Sequence, residues 1–296
     1  MRRMDYAPSN GIKLCYDTFG DPADPALLLV MGFTAQMTAW DERFCGLLAG
    51  RGRFVIRFDN RDCGLSTHLD GQMIDIMALM GALDGGPAPE VPYTLSAFSD
   101  DAFGLLDHLG IERAHIVGAS MGGMIVQAMA IEHPERVLTM TSIMSTTGEQ
   151  EYGQSTPEAR TALLTPPPAD RDAIAERAVT FGKLISSPRY FDADKAIKRS
   201  LDAYDRAFYP EGAMRQMGAI VAGGDRVEGL RALAVPTLVI HGRADTLIEP
   251  SGGERTAELV PGANLLLLHD MGHDLPEPLW PLIVDAITSH TTHAIG

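Results

Sequence analysis

Apolar residues fall along the chain in short runs, and the runs alternate with stretches of helical period. Residues 26–31 read Ala-Leu-Leu-Leu-Val-Met, apolar without a break, as expected of a strand buried on both faces. Comparable runs follow at 53–59, 115–119, 137–143, 237–241 and 264–269. Residues 14–19 alternate instead and read as an antiparallel edge strand. Between the runs, 39–48, 95–109, 121–133 and 279–290 repeat their apolar positions at helical spacing. In 95–109 these are Leu95, Phe98, Ala102, Leu105, Leu106 and Leu109. Strands alternating with helices over this length predict an α/β fold, with a mostly parallel central sheet and helices on both faces.

Two segments depart from the alternation. No strand run occurs between 146 and 225, which holds Thr-Pro-Pro-Pro-Ala-Asp at 165–170, helical sequence, and Gly-Gly-Asp at 223–225. We read it as a helical cap inserted into a core domain made of 1–145 and 226–296. A shorter excursion, 68–93, carries a methionine-rich apolar stretch at 73–80. It fits either a surface helix packed on the core or a flap over a pocket, because methionine suits adaptable apolar surfaces.

The strongest chemical signal is His-Ile-Val-Gly-Ala-Ser-Met-Gly-Gly at 115–123, a G-x-S-x-G pattern with a strand before it and a helix after it. A nucleophilic serine must sit at the tip of a tight strand-to-helix turn so that its hydroxyl faces an open cleft. Such a turn strains the serine backbone. Side chains two residues away on either side would collide, which accounts for Gly118 and Gly122. The helix that begins at Met121 turns free N–H groups and its positive dipole end towards the site.

A serine hydroxyl needs a base, usually histidine, held by a carboxylate. In hydrolases with this motif the chain order is serine, acid, histidine. His273 lies in Asp-Met-Gly-His-Asp at 270–274, a loop just after the run 264–269, where catalytic groups of α/β sheets collect. His269 reads as part of the strand, and His290 and His293 as terminal helix and tail. Asp245, in the loop after the run 237–241, is the acid candidate. Glu249 reads as a residue ahead of a helix, and Asp274 is too close in sequence to reach the ring edge. The oxyanion donors would be the backbone N–H groups of Met121 and of Phe33, the latter in the glycine-containing loop after the run 26–31.

Composition excludes more than it identifies. The 296 residues hold 24 Lys and Arg against 39 Asp and Glu, a formal charge of −15, with no basic run. Nucleic acid is therefore a poor partner. Cys15, Cys45 and Cys63 are odd in number and lack C-x-x-C spacing, so they suggest packing rather than a disulfide framework or zinc site. No apolar stretch follows Arg2 and Arg3, and every apolar run is too short to span a bilayer. A cytoplasmic enzyme with reduced thiols and no membrane partner is the expectation, and monomer and homodimer both stay open.

The blocks 28–33, 58–66, 115–123, 236–250 and 271–273 resemble the α/β-hydrolase superfamily. The stretch 19–32 with Ile-Arg-Phe-Asp-Asn-Arg-Asp-Cys-Gly-Leu-Ser at 56–66 is similar to the subgroup of aclacinomycin methylesterase type, which removes a methyl ester from a polyketide antibiotic. One departure is Met31, where many relatives carry a histidine that supports the oxyanion loop. Asn60, Arg61 and Asp62, with Asp59, read as structural groups bonding neighbouring loops.

The resemblance implies a carboxylic ester hydrolase working through an acyl-enzyme, with no metal or organic cofactor, on a small-molecule ester. Serine rather than aspartate at position 120 favours acyl transfer over dehalogenase or epoxide hydrolase chemistry. The fold also hosts cofactor-free perhydrolases, C–C hydrolases, lactonases and proline-type aminopeptidases, and a ligand receptor without turnover is a further alternative. An aminopeptidase would need cap carboxylates such as Asp192, Asp194, Asp202, Asp205 or Glu211. An apolar pocket lined by Phe33, Met73, Met77, Met80, Phe181, Leu184, Tyr190 and Phe208 is expected, with preference for small to medium apolar esters.

Overall fold

Every apolar run forms a strand in the computed structural model, which describes residues 4–293. The opening Arg2 and Arg3 and the side chain of His293 lie outside the described residues. The strands are β1 (Asp5–Ser9), β2 (Ile12–Phe19), β3 (Ala26–Val30), β4 (Phe54–Phe58), β5 (Ala114–Ala119), β6 (Val137–Ile143), β7 (Thr237–Gly242) and β8 (Asn264–Leu268). They make one eight-stranded sheet in the order β1-β2-β4-β3-β5-β6-β7-β8. The β1–β2 and β2–β4 pairings are antiparallel, and the other five are parallel. The alternating stretch 14–19 is thus antiparallel as expected, but it is not the edge. Strand β1 covers it, with Pro8 placed where an outermost strand tolerates a missing N–H.

The helices are α1 (Glu42–Ala49), α2 (Ile76–Leu83), α3 (Leu95–His108), α4 (Met121–Glu132), α5 (Pro157–Leu164), α6 (Arg171–Ile185), α7 (Ala193–Arg206), α8 (Glu211–Ala222), α9 (Val227–Arg231), α10 (Ser251–Leu259) and α11 (Trp280–His293). The period of two along β3 divides the core. Leu28 and Val30 face a cluster with α3 and α4, while Leu27 and Leu29 face one built with α1 and α11. Helix α4 is buried from Met121 to Ala130, as befits a helix apolar all round. Helices α5 to α8 occupy the chain between β6 and α9, within the span expected to form an insert. Among the described residues, no helix is long and apolar enough to cross a membrane.

Strand β5 buries a titratable group at the end away from Ser120. His115 in β5 is fully buried, with Nδ1 2.9 Å from the Thr139 hydroxyl. Burial, followed by the nearby charges of Arg53 and His290, lowers its pKa to about 4. Unfolded histidine takes its proton near 6.5. Stability is therefore unaffected above that value and falls as pH drops from about 6.5 towards 4, by about 3 kcal/mol in full. His115→Gln keeps a polar partner for Thr139 but cannot titrate. Its urea-unfolding free energy should lose about 2 kcal/mol less than wild type between pH 7 and pH 5. An unchanged pH dependence would show that another group controls this window.

Candidate active site

Four loops leave the carboxyl ends of β3, β5, β7 and β8, the edge where parallel α/β sheets place ligands. They carry Phe33, Ser120, Asp245 and His273 respectively.

Ser120 links β5 to α4 with φ 58° and ψ −121°. Only a closely supported residue keeps such a backbone. Its N–H donates to the Ile143 carbonyl over 2.9 Å, and its carbonyl accepts from the Ser145 hydroxyl over 2.8 Å. The glycines make room. A Cβ at Gly118 would strike the Gly122 carbonyl oxygen, and one at Gly122 would strike the Val30 carbonyl oxygen across in β3. The collision inferred from sequence spacing is therefore real on the first side and involves a neighbouring strand on the second.

His273 Nε2 lies 3.0 Å from Ser120 Oγ, and His273 Nδ1 lies 2.7 Å from Asp245 Oδ2. Asp245 Oδ1 accepts from the Leu247 and Ile248 amides, each at 2.9 Å, which fixes the carboxylate plane. Burial pushes the Asp245 carboxyl upwards. The charge of His273 and hydrogen bonds from His241 and His273 outweigh this and hold it at about 2. The His273 amide donates to the Ile185 carbonyl at 2.6 Å, so the end of α6 clamps the histidine loop. Asp274 turns away from the ring and accepts from the Ser187 amide at 2.9 Å and the Gly272 amide at 3.2 Å. Glu249 is exposed.

The amides of Phe33 and Met121 donate no hydrogen bond to the protein among the described residues, and Gly32 leaves too little room for a Cβ beside Ser120. The Met31 carbonyl accepts from Asn60 Nδ2 at 2.8 Å. The neighbouring charges bond loops, as read from the sequence. Asp59 pairs with Arg206 at 2.7 Å, Arg61 with Asp101 at 2.7 Å, and Asp62 with Arg215 at 2.8 Å. Burial opposes the charge on Asp62, but bonds from Arg215, the Leu69 amide and Tyr93 keep its pKa below the usual carboxylate value.

The expected lining residues divide. Phe181 and Leu184 on α6 pack with Ile185 and with Leu247 from the acid loop. Tyr190 is half-buried, and Phe208 and Met80 are exposed. Met73, ahead of α2, and Met77 stand in solvent at 84% and 81% exposure, and α2 buries only Leu79 and Ala82. Asp192, which caps α7, Asp194, Asp202 and Asp205 on α7, and Glu211 on α8 are all exposed, with Asp202 paired to Lys198 and Asp205 to Arg171. None of these carboxylates is buried at the cleft as an ammonium site would require.

Two residues at the site escaped the sequence reading. His241, buried at the end of β7, places Nε2 2.8 Å from the Ile248 carbonyl and 3.4 Å from Asp245 Oδ2. Its position four residues before Asp245, at a strand end, was the available signal. Gln216 on α8 reaches the Phe33 loop and had no local signal at all.

The profile of the α/β-hydrolase fold family matches residues 25–277. The chain belongs to that family. It is 29% identical over 307 residues to rhodomycin D methylesterase DauP of Streptomyces sp. strain C5, covering 96% of each chain. Similarity to rhodomycin D methylesterase DnrP of Streptomyces peucetius is also 29%, over 304 residues and 96% of each chain. Among solved structures, 2-hydroxy-6-oxo-6-phenylhexa-2,4-dienoate hydrolase (BphD) from Rhodococcus sp. strain RHA1 superposes with a TM-score of 0.77 at 20% identity, covering 98% of each chain. That likeness extends the family's fold to nearly the whole chain. The methylesterase relatives support hydrolase activity.

Proposed function

We propose that this α/β-hydrolase is a serine carboxylic ester hydrolase acting through an acyl-enzyme on small to medium apolar esters, methyl esters included. The observation that carries the reading is the unbroken relay from Ser120 Oγ through His273 to the buried, ionised Asp245, set beside two amides that donate to no protein group among the described residues. Full-length similarity to rhodomycin D methylesterases supports the inclusion of methyl esters.

In this reading His273 Nε2 takes the hydroxyl proton as Ser120 Oγ bonds to the ester carbonyl carbon. The carbonyl oxygen becomes an oxyanion held by the Phe33 and Met121 amides and by the dipole end of α4. His273 then gives the proton to the leaving alcohol, and the acyl group stays on Oγ. A water molecule repeats the cycle, with His273 as base, and releases the acid. Asp245 keeps the Nδ1–H tautomer and stabilises the imidazolium. Residues 146–225 act as the cap over the cleft, with Phe181 and Leu184 on its apolar side.

Rapid quenching of wild type with p-nitrophenyl butyrate, followed by peptide mass spectrometry, should show an acyl adduct on the peptide containing Ser120. Across p-nitrophenyl acetate to palmitate, turnover should fall at the long-chain end, and a methyl ester of a polycyclic aromatic acid should be cleaved. An adduct elsewhere, or faster turnover of palmitate than of butyrate, would reject the reading.

A further inference from the structure

We propose that Gln216, a side chain of the inserted helix α8, is a positioning residue that holds the Phe33 amide in its oxyanion-binding place. The inference rests on the serine esterase reading above.

The loop that carries Phe33 is strained at the next residue. Thr34 has φ 57°, in the left-handed region. A β-branched residue rarely adopts it, and it persists only where surrounding bonds impose it. The peptide N–H of Thr34 donates to Gln216 Oε1 at 2.8 Å, and the Thr34 carbonyl lies 3.3 Å from Cys63 Sγ. Gln216 is fully buried, and its Nε2 donates to the Arg61 carbonyl at 2.8 Å. Both ends of one amide are thus spent on two core loops, 182 and 155 residues distant in sequence. Arg215, beside Gln216 on α8, is also buried and is spent on Asp62. Gly212 and Met217 on the same helix are buried, and Gly212 lies so close to the Asp62 backbone that no side chain would fit.

The Phe33 N–H and the Thr34 N–H belong to consecutive peptide units, so a rotation that relieves Thr34 swings the Phe33 unit as well. Further along the same loop, Gln36 donates to the Ala203 and Ala207 carbonyls at the end of α7 and accepts from Arg206 at 2.6 Å. The oxyanion loop is therefore braced from the insert, and the hole is complete only when α8 is seated. The requirement is kinetic in kind. A displaced donor weakens the transition state, where the oxyanion exists, and leaves ground-state binding largely alone.

The test is Gln216→Leu, of similar volume and without either bond. Its kcat on p-nitrophenyl butyrate should fall about ten- to a hundredfold with KM within about threefold, since donor misplacement costs on that scale. The Ki of an alkyl trifluoromethyl ketone, which forms a tetrahedral oxyanion adduct with serine, should rise by the same factor. Gln216→Glu keeps an acceptor opposite the Thr34 amide but sets its second oxygen against the Arg61 carbonyl, so it should keep more kcat than Gln216→Leu and less than wild type. Adding Thr34→Gly to Gln216→Leu should also restore part of kcat, because glycine adopts positive φ without cost. Should Gln216→Leu fail to fold, Gln216→Met, which follows the side chain's shape without either bond, decides in its place, and unchanged kcat in it overturns the assignment. Unchanged kcat in folded Gln216→Leu, with wild type active and Ser120→Ala inactive, overturns the Gln216 inference and leaves the esterase reading intact. No ester turnover and no ketone binding by wild type would remove both.

Discussion

Ser120→Ala should lower kcat on short p-nitrophenyl esters by about 10⁶-fold, the scale on which loss of a serine nucleophile is felt. The substitution removes one oxygen and little else. The Ser120 N–H bond to Ile143 and the carbonyl bond to Ser145 are backbone contacts and survive. Gly32, Gly118 and Gly122 still admit the turn. Alanine at φ 58° is no worse placed than serine, so the thermal midpoint should stay close to wild type. The residual rate measures what the Phe33 and Met121 amides achieve by polarising a bound ester for attack by water, and that remainder should stand above the solution rate. Labelling by a fluorophosphonate, which requires Oγ, should vanish. If the variant keeps a tenth or more of wild-type turnover, the nucleophile is elsewhere and C–C hydrolase or perhydrolase chemistry needs testing first.

The candidate site was legible in the sequence to the extent that each part sat at the end of a regular element. Ser120 follows a strand and opens a helix within one motif. Asp245 and His273 each follow an apolar run of strand length, and position after a strand limits where a side chain can point. The proposed insert was legible only as an absence of strand runs between 146 and 225. Strand β1 was invisible because Asp-Tyr-Ala-Pro-Ser has neither a continuous apolar run nor a clean alternation, and its pairing with β2 comes from the Asn10-Gly11 turn, where both residues have positive φ. Strand β8 was read correctly as a strand, yet its leucines do not imply burial on both faces. It is the other edge, and Leu265 is 40% exposed. The methionines of 73–80 show the same limit, since apolar composition predicts that something is covered and cannot say which face. Gln216 marks the deeper boundary. Within α8 it is one polar residue in a helical period, and only the approach of loops far away in sequence gives it a task.

Asp245→Asn should reduce kcat by about 10⁴-fold without unfolding the protein, and the geometry says why the isosteric change is severe. Oδ1 of Asp245 accepts from the Leu247 and Ile248 amides. An asparagine must keep its oxygen there, so its NH₂ takes the place of Oδ2, 2.7 Å from His273 Nδ1. A donor now faces Nδ1, which becomes an acceptor, and the ring proton moves to Nε2. That nitrogen then points N–H at Ser120 Oγ and cannot take its proton. In wild type the reverse holds at every working pH, because the carboxyl is held at about 2. The sign of the linkage follows. The depressed pKa contributes stability above the unfolded value near 3.9, and that contribution is lost only as pH falls through about 2. Across mild acidification Asp245 therefore stays charged. In Asp245→Asn the imidazolium formed in the transition state also loses its counter-charge, which lowers the plateau of kcat/KM further. A plateau within tenfold of wild type would mean that Asp245 serves the loop rather than the histidine, and Glu249 or Asp274 would need the same substitution.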